Sequence, residues 1–265
     1  PSPCAVCNPT IKFGVLMEKA FELGASRLAT GHYARIEPGD DDNFHLLRGQ
    51  DPGKDQSYFL FGLSQEQLRH TLFPLGGMTK PQARELAAKF GLGQEMVQRS
   101  ESQDLCFVRP GEHWKLVEAY HPELERDGRF IDLEGNELGR HRGIHRYTIG
   151  QRRGLGVAAA HPLYVAEIRA ETGDIVLAES DSLYTNEMLV ENTEWICGVE
   201  PTESFAVETK IRYGQQPSPS RIIPQPGRNA VVQFDTPQFA VTPGQAAVFY
   251  NGDEVLGGGW IRRPA

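Results

Sequence analysis

Cysteine is scarce in this chain, at four in 265 residues, and methionine is no commoner. So few cysteines exclude a disulfide-stapled framework. They leave reactive or inert thiols in a reducing compartment, by default the cytoplasm. No apolar run approaches the roughly 20 residues that span a bilayer, so no membrane association is expected. The amino terminus, Pro1-Ser2-Pro3-Cys4, lacks the basic-then-apolar pattern of a secretory signal. An initiator Met is missing too, which suggests the C-terminal part of a longer protein. Positive charge is short: 27 Lys and Arg face 35 Asp and Glu, a net charge of −8. That balance argues against a generic nucleic-acid coat protein.

What is present fits an ordinary globular chain, 39% hydrophobic and 23% charged. Its length is enough for two or three domains with a real core. The positive charge is unevenly spread. Gly139 to Gly154 holds Arg140, Arg142, Arg146, Arg152 and Arg153 and no acid. Such a stripe is either the footprint of a polyanion partner or a solvated Arg-rich loop.

Apolar residues at Ile11, Val15, Leu16, Ala20 and Leu23 predict a helix from Thr10 to Leu23, stopped by Gly24. Arg27 to Thr30 reads as a short buried strand ending at Gly31-His32-Tyr33. Ligands of open α/β sheets bind at the carboxyl ends of strands, which places Gly31 and His32 to touch one. Ala34 to Ile36 and Phe44 to Leu47 flank an acidic hairpin tip at 38–43. Two helices follow, Ser64 to His70 with a Ser64/Gln67 capping box, and Lys80 to Phe90 with Pro81 in its first turn. Gly111 to Tyr120 reads as helical. From Gly128 onward short β-type runs alternate with turns: 129–131, 163–168, 175–178, 206–211, 230–234 and 246–250. The expected domains are 1–108, 109–184 and 185–265.

The sulfur chemistry centres on two cysteines nearly a hundred residues apart, Cys7 in Pro3-Cys4-Ala5-Val6-Cys7-Asn8 and Cys106 in Ser102-Gln103-Asp104-Leu105-Cys106-Phe107. Cys4 and Cys7 alone leave half a zinc site, a redox pair or inert thiols all open. Cys7 precedes the Thr10 helix, whose N-terminus would favour its thiolate. Cys197, in Trp195-Ile196-Cys197, reads as a buried and inert thiol. Lys54-Asp55-Gln56 is either a helix start or a contact surface, and Tyr58, Phe59 and Leu60 beside it read as core.

Several segments occur in a specific order: Pro3-Cys4-x-x-Cys7-Asn8, Ile11-Lys12-Phe13, Ala29-Thr30-Gly31-His32-Tyr33, Lys54-Asp55-Gln56-Ser57-Tyr58-Phe59-Leu60, Ser102 to Phe107, Tyr147-Thr148-Ile149-Gly150-Gln151-Arg152-Arg153-Gly154, Ile211-Arg212-Tyr213 and Val241 to Val248. In that combination the chain resembles the tRNA-specific 2-thiouridylase family, MnmA or TrmU. The resemblance implies an α/β plus β fold: the C-terminal part of a PP-loop (adenine nucleotide alpha hydrolase-like) domain, a small central mixed domain and a C-terminal β-barrel. It implies ATP-dependent adenylation of the C2 oxygen of a wobble uridine in tRNA, then sulfur transfer from a cysteine persulfide.

By the same resemblance Cys7 is the nucleophile and Cys106 the persulfide carrier, joined in a transient Cys7–Cys106 disulfide. Gly31 would touch ATP. His32, Lys54, Asp55, Gln56, Arg212, Tyr213 and Gln245 would touch tRNA, and Ser2, Pro3 and Cys4 the target base. ATP with Mg2+ is the implied co-substrate, with no tightly bound metal. The implied partners are tRNA and a persulfide-donating cysteine desulfurase or sulfur-relay protein. The chain departs from the pattern in lacking the Ser-Gly-Gly-x-Asp-Ser phosphate loop, so the activity is expected of a longer parent. The competing readings are a non-catalytic RNA-binding or redox fragment, and a PP-loop ligase without sulfur transfer.

Overall fold

The computed structural model describes residues 3–40, 43–93, 106, 108 and 111–262. Ser2, Asp41 and Asp42, and most of the segment around Cys106, lie outside them. The chain divides into two compact units. One comprises Pro1–Ser100, Glu187–Thr236 and Pro243–Ala265, and the other Glu101–Asn186 and Pro237–Thr242.

In the first unit, Cys4–Cys7, Asn8–Val15 and Leu16–Glu22 run on as a single helix, α1. It starts at Cys4, earlier than the apolar spacing predicts. Pro9 falls inside it, with no N–H to give its own turn and a ring that crowds the carbonyl one turn back. The helix passes it by widening to a π-type turn, in which the Leu16 amide reaches back to Ile11 O. The Thr10 hydroxyl donates to Val6 O at 2.7 Å and occupies an acceptor there. Phe13 and Met17 face inward from α1 and are almost fully buried.

Strand β1 (Leu28–Ala29) pairs in parallel with β4 (Thr71–Leu72). The pair forms a two-stranded sheet, so β1 is half-buried to exposed rather than the buried strand its apolar residues suggest. Strands β2 (Ala34–Pro38) and β3 (Phe44–Arg48) form the expected hairpin. Helix α2 (Gln65–Arg69) carries the full capping box between Ser64 and Gln67, and α3 (Lys80–Lys89) a second one between Thr79 and Gln82.

The rest of this unit is a barrel. Strands β9 (Tyr184–Trp195, its first residues in the other unit), β10 (Phe205–Lys210), β11 (Ser218–Gln225), β12 (Asn229–Phe239, its last in the other unit), β13 (Ala246–Asn251) and β14 (Glu254–Ile261) follow the order β13-β10-β11-β12-β9-β14, and β13 pairs again with β14 to close the ring. The hairpin extends it, because β3 pairs with β14 through Leu46–Val255 and Leu47–Glu254. One apolar cluster joins both parts: Phe13 and Met17 of α1 with Leu46, Tyr58, Leu60, Phe61, Leu68, Val248, Tyr250 and Val255. Each large side chain so buried contributes about 1.5–3 kcal/mol. The packing is tight enough to require glycine. A Cβ on Gly76 would lie 1.7 Å from Ala34 O, and one on Gly258 2.5 Å from Ala247 O.

The second unit holds helix α4 (His113–Tyr120) and a four-stranded sheet. Its strands are β5 (Asp127–Ile131), β6 (Glu137–Arg142), β7 (Tyr164–Arg169) and β8 (Asp174–Ala178), in the order β6-β5-β8-β7, with only β5 and β8 parallel. Phe130, Leu155, Val165, Ile175 and Leu177 form its core. Arg129 of β5 forks onto Asp174 of β8 at 2.9 and 3.0 Å and neutralises a nearly buried carboxylate.

Candidate functional site

Cys4 and Cys7 occupy the first turn of α1, both half-buried, and the Cys7 amide donates to Pro3 O at 2.8 Å. Cys7 is thus inside the helix rather than ahead of it, as the Thr10 start would have it. Pro3 is the residue immediately before α1. Asn8 is buried and fixes this turn, its Nδ2 donating to Phe59 O at 2.9 Å. The Asn8 Oδ1 is buried with no hydrogen-bond partner among the described residues.

His32 follows the carboxyl end of β1 and lies against the next turn of the same helix. Its ring sits between Phe13 and Phe73, with centroids 5.8 and 5.6 Å away. Burial, and then the neighbouring Lys12 ammonium, push its pKa down to about 4. The ring is therefore neutral at pH 7. Lys12 Nζ donates towards Nε2 across 3.5 Å, which assigns the ring proton to Nδ1, directed at the Thr30 hydroxyl 2.7 Å away. Gly31, just before it, is solvent-exposed, and the nearest atom to a Cβ there would be Leu75 Cδ1 at 3.8 Å.

The Lys54–Gln56 loop is zipped to this segment. Gln56 N–H donates to Tyr33 O at 2.9 Å, and Tyr33 N–H donates to Gln56 Oε1 at 3.1 Å. Asp55 is turned inward and buried. It accepts from Gly49 N at 3.0 Å, Ser57 N at 3.1 Å and the Ser57 hydroxyl at 3.0 Å. Its carboxylate holds the loop's shape from within, and Lys54 is the loop's surface cation.

Two cations that the motifs did not single out stand behind this loop. Arg48 stacks on the Tyr250 ring at 4.3 Å, and its buried Nη2 makes no hydrogen bond among the described residues, with Glu208 at 3.8 Å. Lys210 lies 5.8 Å from the Tyr58 ring and 5.5 Å from that of Tyr213. Burial lowers the Lys210 pKa, Asp55 opposes the shift and Arg48 adds to it. Arg212 is likewise lowered by burial, with Tyr58 opposing. The Tyr58 and Tyr250 phenols are pushed up by burial and stay protonated. Tyr213 packs on Phe59 at 4.5 Å. Because Asn8 holds the Phe59 carbonyl, α1, the 54–59 loop and Arg212-Tyr213 form one connected surface. Gln245 precedes β13, where Ala246 O accepts from Tyr58 OH at 2.9 Å. The sequence signal for Lys210 and Arg48 was weak: one lies outside the quoted Ile211-Arg212-Tyr213 segment and the other ends a strand.

All four cysteines are free thiols. Cys106 is exposed and belongs to the second unit. Cys197 is exposed rather than buried. It sits in the turn after β9, donating weakly to Val199 O at 3.5 Å, while its neighbour Ile196 takes the core position. It borders a groove of about 340 Å3 lined by Phe44, Trp195 and Phe205. Among the described residues no group of three or more His, Cys, Asp or Glu side chains is placed to hold a metal ion. Among the described residues no helix is long and apolar enough to cross a membrane.

The arginine stripe of the second unit is less uniform than its sequence. Glu137 pairs with Arg140 at 3.0 Å, and Glu118 of α4 takes Arg146 and His145 at 2.6 and 2.8 Å. Arg146 also lies 4.0 Å over the Trp114 ring. Arg142, Arg152 and Arg153 have no acidic partner among the described residues.

Three family models match the chain: a tRNA methyl transferase HUP domain over residues 1–110, a tRNA methyl transferase PRC-barrel domain over 115–179, and an aminomethyltransferase beta-barrel domain over 185–261. Among curated proteins, one of Geobacter metallireducens is 49% identical over 261 residues, 98% of this chain and 70% of the relative. One of Geotalea uraniireducens is 47% identical, covering 98% and 69%. One of a Synechococcus strain is 46% identical, covering 100% and 72%. Each is named tRNA-specific 2-thiouridylase MnmA.

Proposed function

The chain belongs to the tRNA-specific 2-thiouridylase MnmA family, and from that premise we propose that it serves in replacing the C2 oxygen of a tRNA wobble uridine with sulfur. The observation that carries the reading is the joining of four distant segments. The Cys4–Asn8 turn, His32, the 54–59 loop and Arg212-Tyr213 are tied together by the Asn8–Phe59, Gln56–Tyr33 and Phe59–Tyr213 contacts. The surface offers thiols beside neutral hydrogen-bonding groups, aromatic faces and cations. Stacking faces and cations are what an unstacked RNA base and its backbone require.

In this reading Cys106 carries a persulfide delivered by a cysteine desulfurase or sulfur-relay protein, and Cys7 is the nucleophile. The Cys7 thiolate attacks the Cys106 sulfur and forms a disulfide. Hydrosulfide leaves and attacks C2 of the uridine, whose activated oxygen departs. A dithiol reductant then restores both thiols, as a reducing cytoplasm supplies. Lys54, Gln56, His32, Arg212, Tyr213 and Gln245 contact tRNA, and Asp55 keeps the loop in shape. Pro3 and Cys4 contact the target base; Ser2, assigned to the same contact, lies outside the described residues. ATP, with Mg2+, supplies the oxygen's activation. Gly31 touches the nucleotide, but a lone exposed glycine makes no phosphate cradle and Ser-Gly-Gly-x-Asp-Ser does not occur in these 265 residues. No step through ATP is derived from this geometry, and the whole activity is assigned to a protein that joins this chain to such a loop.

The family models are named for methyl transfer and the relatives for thiolation. The thiols of Cys7 and Cys106 serve the second chemistry. The test is the full-length protein with ATP, a persulfide donor and unmodified tRNA, its nucleosides then resolved by mass spectrometry. The reading expects 2-thiouridine; a methylated nucleoside, or no change, overturns it.

A further inference from the structure

The second unit contains a pocket of about 390 Å3 in the connection between β6 and β7. Arg152, Gly154, Gly156 and His161 line it over Leu155, and no carboxylate does. The loop is built rather than slack. The Gln151 side chain spans it, accepting from Thr148 N at 3.1 Å and donating to Arg153 O at 3.0 Å. Gly150 N–H donates to Val165 O at 2.8 Å and Val165 N–H to Gln151 O at 3.0 Å, which ties the loop's start to β7. Leu155 is sunk into the core beside Phe130 and Ile175. Gly154 and Gly156 sit at φ +77° and +69°, so side chains are excluded there and backbone is left at the pocket wall.

Apart from Arg142 at the end of β6, the stripe's arginines without an acidic partner among the described residues belong to this loop. Arg140 and Arg146 are spent on Glu137 and Glu118. Arg152 and Arg153 have no acid among the described residues, in a chain whose net charge is −8. An exposed guanidinium beside an imidazole and bare backbone, without a carboxylate, is a site for an oxyanion.

We propose that this pocket is a phosphate subsite that takes one phosphodiester of the RNA backbone, with Arg152 as its charge. The proposal rests on the reading of the chain as a tRNA-acting protein. A phosphodiester contact fixes register and carries no base information, so Arg152 contributes affinity and not sequence choice.

The test is tRNA binding by fluorescence anisotropy across a salt series, with full-length protein, Arg152→Gln, Arg152→Lys and Arg169→Gln. Arg169 is already paired with Glu167 and serves as the control for charge removal. Losing one phosphate contact lowers the salt slope by about 0.7–0.9 and weakens binding about fivefold near 0.1 M salt. The loss is expected to be the same for tRNAs with altered anticodons, absent in Arg169→Gln and largely restored in Arg152→Lys. Inorganic phosphate is titrated in parallel. If phosphate binds at this loop while Arg152→Gln leaves tRNA affinity and salt slope unchanged, the pocket serves a free anion and the proposal fails. It fails equally if Arg152→Gln changes neither ligand. If the unaltered protein binds no tRNA, the functional reading itself falls and the subsite with it.

Discussion

Stability should depend on His32 with a defined sign and window. The imidazole is about nine-tenths buried between Phe13 and Phe73 and faces the Lys12 ammonium. Its pKa falls from 6.5 to about 4 on folding, through burial first and Lys12 second. Between those values the unfolded chain binds a proton that the folded chain refuses. Stability therefore rises with pH across the window and is lost as pH falls through it. The whole shift is worth about 3 kcal/mol, and about 2 kcal/mol of it is gone on moving from about pH 7.5 to about pH 5. The first unit also holds other histidine–carboxylate pairs, His45 with Glu254 and His70 with Glu66. The quantity to measure is therefore a difference of differences. Urea unfolding of the protein and of His32→Asn is followed at both pH values by Trp195 and Trp260 fluorescence, in a Trp114→Phe background that removes the second unit's signal. The unaltered protein should lose about 2 kcal/mol more than the variant over that interval. Parallel losses, or an imidazole whose NMR titration has a midpoint above about 6, would refute the argument that burial keeps this ring neutral.

Other consequences are as direct. Cys7→Ser and Cys106→Ser should each abolish 2-thiouridine formation while leaving tRNA affinity within about twofold, and Cys197→Ser should leave turnover intact; full turnover in Cys106→Ser would remove the two-thiol route. Tyr58→Phe strands the Ala246 carbonyl and the Tyr58 site in a dry core, at a cost of about 1–2 kcal/mol in denaturant unfolding. Gly76→Ala forces Ala34 and the Gln50–Gly76 backbone bond apart, so it should destabilise the first unit by more than about 2 kcal/mol and loosen the loop that carries Lys54. Asn8→Ala frees the Phe59 carbonyl, and a loss of tRNA affinity without loss of fold is the expected readout, with a thermal midpoint as the control.

The sequence by itself determined the elements whose local chemistry is complete. Ser64 with Gln67 announced α2, Pro81 opened α3 and Gly91 closed it, and the short β-type runs at 163–168, 175–178 and 246–250 became β7, β8 and β13. The motif order was enough to point to the family. Elements held by their neighbours rather than by propensity were not legible. Strand β14 contains Gly257-Gly258-Gly259 because the strands beside it leave no room for side chains, and β11 carries Pro219 and Pro224, which argue locally against a strand. Residues 139–142 read as the start of a charged stripe, yet they belong to β6, with Glu137 of the same strand turned onto Arg140.

Only tertiary structure decided the roles inside the candidate site. The sequence motifs single out Asp55 as a contact residue and pass over Lys210 and Arg48. The fold buries Asp55 to hold a loop and sets the two cations behind it on aromatic faces. Nothing local in Arg140, Arg146, Arg152 and Arg153 distinguishes them, and the difference comes from Glu118 and Glu137, which the chain brings to the first two and not to the others. Burial and partnering are properties of pairs distant in sequence, and only the folded chain specifies those pairs.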